Sequence, residues 1–275
     1  MPELPEVETI VRCLRPHLCG LQVRSVLALF PPIVRDPGLC PPEQIVNRRV
    51  SGLRRRGKMI LVDFSGGLTL IIHLKMTGQL VFCGQNTLPD KHTHFVVRFR
   101  GSRRELRFRD VRKFGFIRLV RTAELEGTRE LCLLGPEPLG LDRSAFIEHL
   151  RGRRGRLKSL LLNQRVLAGI GNIYADEILY EACLHPQTDV SRLGRRRLER
   201  LWVAVSKILT EAIAFKGTTV RDFRDGFGVV GSFQNRLRVY GREGELCPRC
   251  GSRLRRIRLS GRSAHFCPCC QRRPV

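Results

Sequence analysis

Leu134-Gly-Pro-Glu-Pro-Leu-Gly140 divides the chain. Two prolines and two glycines in seven residues sustain neither a helix interior nor a central strand, so the stretch reads as a linker. The texture differs on its two sides, and that difference sets the fold class. Upstream, from about 21 to 121, short runs rich in branched and aromatic residues alternate with Gly, Pro and Asp. Gln22–Phe30, Met59–Phe64, Leu68–Leu74, Phe95–Phe99 and Phe116–Val120 predict antiparallel strands of a sandwich or barrel. A helix precedes them: Val7, Ile10, Val11 and Leu14 make one apolar stripe, closed by Pro16 and Gly20. Downstream, Leu157–Gln164, Asn172–Glu181 and about Arg195–Phe215 carry helical spacing. The last has Leu198, Leu201, Trp202, Val205, Ile208, Leu209 and Ala212 on one face. A Gly-rich segment, about 217–236, reads as a loop, followed by a strand at Leu237–Tyr240. The expected domains are 1–133, 141–240 and a small module at 241–275.

Charge narrows the partner. The 275 residues hold 50 Lys and Arg against 25 Asp and Glu, a formal charge of +25. Such a charge calls for a polyanion, and nucleic acid leads. The hydrophobic content, 42%, is enough for real cores and argues against wholesale disorder. No apolar run approaches the ~18 residues of a membrane span. The acidic, Pro-rich start is unlike a signal peptide, so a cytoplasmic protein is expected.

Eleven cysteines, an odd number, do not suggest a secreted disulfide scaffold. Cys247-Pro-Arg-Cys250 and Cys267-Pro-Cys-Cys270 lie sixteen residues apart. Two such knuckles place four thiolates around one Zn²⁺, and only Cys270, not Cys269, keeps the spacing with Cys267. The intervening RLRRIRLSGRSAHF alternates like a hairpin with a Ser-Gly-Arg turn, giving a zinc ribbon. Thirty residues bury too little to fold alone, so the metal supplies folding energy. Cys13, Cys19, Cys40, Cys83, Cys132 and Cys183 are scattered and read as small core residues.

The start, Met1-Pro2-Glu3-Leu4-Pro5-Glu6, is compatible with plain helix punctuation. It also carries chemistry. Once Met1 is removed, Pro2 presents a secondary amine, a nucleophile able to form an iminium with a sugar carbon. Glu3 and Glu6 stand beside it as candidate acid and base.

PELPEVET at the N-terminus, RRRGKMIL at 54–61, HLKMTGQL at 73–80, KHTHF at 91–95 and DVRKFG at 110–115 occur in one order. LLLNQRVLAGIGNIYADEIL at 160–179, VYGREGELCPRCG at 239–251 and GRSAHFCPCCQ at 261–271 continue it. Together they closely resemble the bacterial formamidopyrimidine-DNA glycosylase/endonuclease VIII family. PELPE rather than PEGPE favours the glycosylase branch that excises oxidised purines over the branch acting on oxidised pyrimidines. The resemblance implies an α+β fold of two lobes. An N-terminal β-sandwich with a leading helix joins a helical domain with a helix–two-turns–helix element and the zinc ribbon, and duplex DNA lies between them. It implies a monomeric base-excision enzyme, glycosylase and lyase, with one structural zinc and no catalytic metal.

The resemblance also assigns roles. Pro2 matches the nucleophile and Glu3 the residue that protonates the sugar ring oxygen, with Glu6 auxiliary. Lys58 matches a residue of β-elimination, and Arg262 one that grips phosphates and serves δ-elimination. Met76, Arg112 and Phe114 match the three residues that fill the void of an extruded base. Asn172, His73, His92, Lys158 and Arg153 match DNA phosphate contacts. One departure stands out. The family often has DGxPGYF over the extruded base, where this chain reads Asp225-GFGVVGSFQ-Asn235. A non-catalytic zinc-ribbon DNA binder and a ribosome-associated basic protein are the readings from other classes. Neither explains Pro2, Glu3 and Lys58 together.

Overall fold

The computed structural model describes residues 1–220 and 223–273. The chain forms two compact units. The first is Met1–Cys132 together with Phe215–Gln234, and the second is Leu133–Ala214 with Asn235–Val275.

In the first unit a helix, α1 (Leu4–Leu18), precedes eight strands. These are β1 (Val23–Ala28), β2 (Val50–Arg56), β3 (Met59–Phe64), β4 (Leu68–His73), β5 (Gly78–Gly84), β6 (Thr93–Phe99), β7 (Arg104–Asp110) and β8 (Phe116–Arg121). They pair antiparallel in two sheets, β1-β6-β7-β5 and β2-β3-β4-β8. Residues of both sheets share one apolar core, including Ile60, Val62, Leu70 and Ile72 from one and Phe95, Val97, Leu106 and Phe108 from the other. Of sandwich and barrel, the unit is a sandwich. The α1 stripe, Val7, Ile10, Val11 and Leu14, is wholly buried in the same core. Glu3 is the N-cap, and Pro5 sits in the first turn, where a missing N–H costs nothing. Pro16 does not end the helix but lies inside its last turn, and Leu18 closes it.

The second unit contains α2 (Arg143–Leu150), α3 (Leu157–Leu162), α4 (Asn172–Glu181), α5 (Arg195–Ala214) and a hairpin of β9 (Arg255–Leu259) with β10 (Arg262–Phe266). The α5 stripe is buried as expected, except that Trp202 is half-buried, its indole N–H donating to the Leu141 carbonyl at 3.0 Å.

Four expectations need correction. Leu237–Tyr240 forms no strand. The N–H groups of Arg238, Val239 and Tyr240 donate to the buried Glu177 carboxylate on α4 instead of to a neighbouring strand. The loop following α5 packs with the first unit, not with the helices that precede it in sequence. Strands β2, β5 and β7 and helix α2 have no counterpart in the sequence reading. Of the six scattered cysteines only Cys40 is buried, while Cys19 and Cys132 are exposed.

Candidate active site and metal centre

Pro2, Glu3 and Glu6 are all buried at the start of α1. The Glu3 N–H donates to Glu6 Oε2 at 2.7 Å, closing a capping box. Lys58 occupies the two-residue turn between β2 and β3, where Arg56 faces Met59. Gly57 precedes it with φ +57°, as a tight hairpin turn requires. Arg15 Nε donates to the Leu53 carbonyl, and Arg55 Nε donates to Glu8. This sequence of contacts along α1 runs its N-terminal end towards the hairpin turn. The nucleophile candidate and Lys58 therefore sit at the same end of the helix–hairpin pair. Lys58 is itself buried, 8% exposed.

His73 ends β4. Its Nδ1 accepts the Lys75 N–H at 2.9 Å, and its ring lies beside Phe116. Burial first, then the charges of Lys75, Lys58 and Arg35, pushes its pKa down to about 3. His73 is thus neutral at physiological pH, with Nε2 carrying the hydrogen. It can donate one hydrogen bond to a phosphate but brings no charge.

Met76, Arg112 and Phe114 come together. The Arg112 guanidinium lies 4.6 Å from the Phe114 ring centroid, and its Nη1 is 3.3 Å from Met76 Sδ. Met76 and Phe114 are exposed at 45% and 51%, which fits a wedge and not a core pair. Lys113 bends the loop between them with φ +56°. Asp110, which the sequence reading passed over, holds this loop. Its fully buried carboxylate accepts N–H groups from Arg112 and Gly115 and the Thr77 hydroxyl. The run Asp110–Gly115 was visible as a motif, but only the fold shows that its first residue serves the rest. His92 is half-buried nearby in sequence, with its N–H on Asp90.

The described part of the 215–234 loop is docked on α1 and β5. Glu6 Oε1 accepts the Thr218 N–H at 2.7 Å, so one carboxylate holds both the helix start and the loop. The Gly226 carbonyl accepts the Phe82 N–H, and Phe227 meets the rings of His17 and Phe82. Asp225 Oδ1 accepts the N–H groups of Phe227 and Val229. A phenylalanine and an aspartate turn thus hold a loop that lacks the family's proline and tyrosine.

The second unit holds the remaining candidates. Asn172 is the first residue of α4, and Gly171, not Asn172, is its N-cap. Among the described residues the buried Asn172 Oδ1 has no hydrogen-bond partner. Arg153 is half-buried, its Nε donating to the His149 carbonyl. Arg262 is exposed at the head of β10. Lys158 departs from expectation. It is 1% exposed, and its ammonium is 2.6 Å from Asp176 Oδ1, so it is an internal ion pair and not a surface cation.

The ligating sulfurs of Cys247, Cys250, Cys267 and Cys270 all lie within 4.8 Å of one another. Cys247 and Cys270 are 3.9 Å apart, and Cys250 and Cys267 3.4 Å. A tetrahedron with arms of about 2.3 Å has edges of about 3.8 Å, so the set fits zinc. Ser252 hydrogen bonds pull the Cys250 thiol down to about 6, while burial and then the neighbouring sulfurs push Cys270 up. Four thiols cannot ionise together without a cation among them. The centre is built into the helices. The Tyr180 hydroxyl lies 3.3 Å from Cys247 Sγ, and Gln271 bonds both the Cys267 N–H and the Leu184 carbonyl.

The chain thus presents a buried Pro2 beside two glutamates, an exposed Met–Arg–Phe cluster and a four-cysteine centre that fits zinc. Residues 1–117 match the formamidopyrimidine-DNA glycosylase N-terminal domain, 134–224 its H2TH domain, and 244–273 a zinc finger found in FPG and IleRS. Formamidopyrimidine-DNA glycosylases of Desulforamulus reducens and Moorella thermoacetica are each 46% identical to this chain. The first match covers 91% of this chain and 92% of the relative, the second 92% and 93%. A Lactococcus lactis FPG mutant in complex with Fapy-dG containing DNA superposes with a TM-score of 0.91 at 34% identity, covering 99% of this chain and all of that one. The chain belongs to the formamidopyrimidine-DNA glycosylase family and is a base-excision DNA glycosylase with one structural zinc. Among the described residues no helix is long and apolar enough to cross a membrane.

Proposed function

We propose that this enzyme removes oxidised purines, 8-oxoguanine and formamidopyrimidines, from duplex DNA and then cuts the strand at the abasic sugar. The observation that carries the reading is the buried Pro2 at the start of α1, flanked by Glu3 and Glu6 and served by the same end of the hairpin that bears Lys58. With Met1 removed, the Pro2 nitrogen attacks C1′. The C1′–base bond breaks, the base leaves with a proton, and Glu3 protonates the ring oxygen as the sugar opens. The iminium acidifies C2′. Loss of that proton, to Lys58, expels the 3′ phosphate, and a second elimination expels the 5′ phosphate with Arg262 on the phosphates. Met76, Arg112 and Phe114 fill the stack while the base is outside it. His73, His92, Arg153 and Asn172 hold the backbone, and the zinc supports the ribbon without entering any step. The Lactococcus lactis structures bound to Fapy-dG and abasic DNA support the substrate class. A third neighbour is a complex with oxidised-pyrimidine DNA, so the branch of substrate has to be tested directly.

Borohydride trapping on a duplex with one 8-oxoguanine opposite cytosine tests this, with Pro2→Gly and Glu3→Gln beside the wild type. A covalent adduct mapped to Pro2 is expected, and Pro2→Gly should lower it steeply. An adduct formed only on an oxidised-pyrimidine duplex would move the substrate to the sister activity. No adduct on either, with Met1 removal verified by mass, would reduce the protein to a DNA binder.

A further inference from the structure

We infer that Lys158 is a positioning residue that fixes Arg262 by taking the place of a missing strand beside β10. The inference rests on the role proposed above for Arg262. Lys158 stands in the first turn of α3, and its ammonium donates both to Asp176 Oδ1 and to the Ser263 carbonyl. Asp176, fully buried on α4, uses its other oxygen to accept the His265 N–H at 2.9 Å, with His265 Nδ1 at 3.1 Å. Ser263 and His265 are two apart in β10. In an antiparallel ladder such residues turn their free N–H and C=O to the same outer edge. One ion pair thus satisfies the acceptor and the donor that a third strand would satisfy.

The hairpin needs this support. A two-stranded ribbon is marginal alone, and β9, Arg-Arg-Ile-Arg-Leu, buries only Leu259. Its turn, Ser260-Gly261, has positive φ at both residues, the tight type that suits a two-residue connection. Arg262 follows at once, opposite Leu259, and Ser263 is the next residue. A slip of one residue would turn Arg262 to the opposite face. The turn fixes Arg262 from one side, and the Lys158–Asp176 pair fixes it from the other. A buried ion pair is a weak source of stability but a good device for register.

A double-mutant cycle on the 8-oxoguanine duplex tests the inference, reading the ratio of δ- to β-elimination product together with bound zinc. Arg262→Ala and Lys158→Met should each lower that ratio about tenfold, and the double variant should match Arg262→Ala alone. If the two effects multiply, Lys158 does not act through Arg262 and the inference falls. If Arg262→Ala leaves the ratio untouched, the proposed role of Arg262 fails first, and this inference with it. Should Lys158→Met lose zinc, the neutral pair Lys158→Met with Asp176→Asn replaces it, since asparagine still accepts from His265. Zinc loss in that variant too would mean the pair serves folding only, which also overturns the inference.

Discussion

At the residue scale His73 shows how burial changes what a side chain can do. As a cation it would attract any anion; as a neutral imidazole it has one hydrogen-bond donor to offer and no charge. The difference has a pH signature. Its folded pKa, about 3, lies below the ordinary value of 6.5, so the unfolded chain binds the extra proton first. Its contribution to stability is therefore complete above pH 6.5 and declines as pH falls from 6.5 towards 3. His73→Gln, which keeps an acceptor for the Lys75 N–H, should flatten the dependence of the urea midpoint on pH across that window. An unchanged slope would place the acid sensitivity elsewhere. Lys158 teaches the complementary lesson. The sequence offers it as a contact to DNA phosphate, while its partner, Asp176, is eighteen residues away. Nothing in local spacing marks a lysine as buried. Pro2, Glu3, Lys58 and Arg262 can be singled out in the sequence because they sit in fixed motifs near the chain start or beside a turn. Asp110, Asp176 and Glu177 were not, because they serve backbone groups brought near only by the fold.

At the level of elements the same limit appears. Strand β3 was readable end to end because five of its six residues are apolar, whereas β7, Arg-Glu-Leu-Arg-Phe-Arg-Asp, hides Leu106 and Phe108 among charges. Its Arg107 and Glu105 are buried as a pair, at 2.6 Å, so polarity there does not mean solvent. Strand β2 is masked in the same way by Arg54, Arg55 and Arg56. The loop after α5 depends on close approach. A Cβ on Gly231 would stand 2.3 Å from the Gly217 carbonyl oxygen, and one on Gly217 would stand 2.7 Å from Glu6 Oε1. Gly231→Ala should therefore displace the loop, costing about 1–3 kcal/mol by overpacking. Limited proteolysis should then cut within 217–236 faster than in the wild type. Equal cutting rates would show that the loop adjusts without leaving its seat.

On the scale of the whole molecule the two units answer differently to loss of metal. The cysteine centre shares a small buried cluster with Tyr180, Val239 and Leu254, so it is continuous with α4 and not an appended module. Chelation should abolish hydrogen-exchange protection over 244–273 and loosen the last turn of α4. Protection in the sheets of the first unit should persist. Equal loss in both units would mean that the metal holds more of the molecule than its ribbon. The charge of +25 was legible at once. The return of 215–234 to the first unit was not, since membership in a unit follows contacts and not chain order.

That return bears on how the protein is made. A ribosome that has released Cys132 has delivered every strand of the sandwich but not the segment that seats against Phe82 and His17. Roughly a hundred further residues must emerge before Gly226 and Phe227 arrive. At about 5–20 residues per second, the nascent sandwich waits several seconds with that apolar seat uncovered. Splitting the gene at the linker would make the wait permanent, so a fragment ending near 133 should be the form most in need of a chaperone.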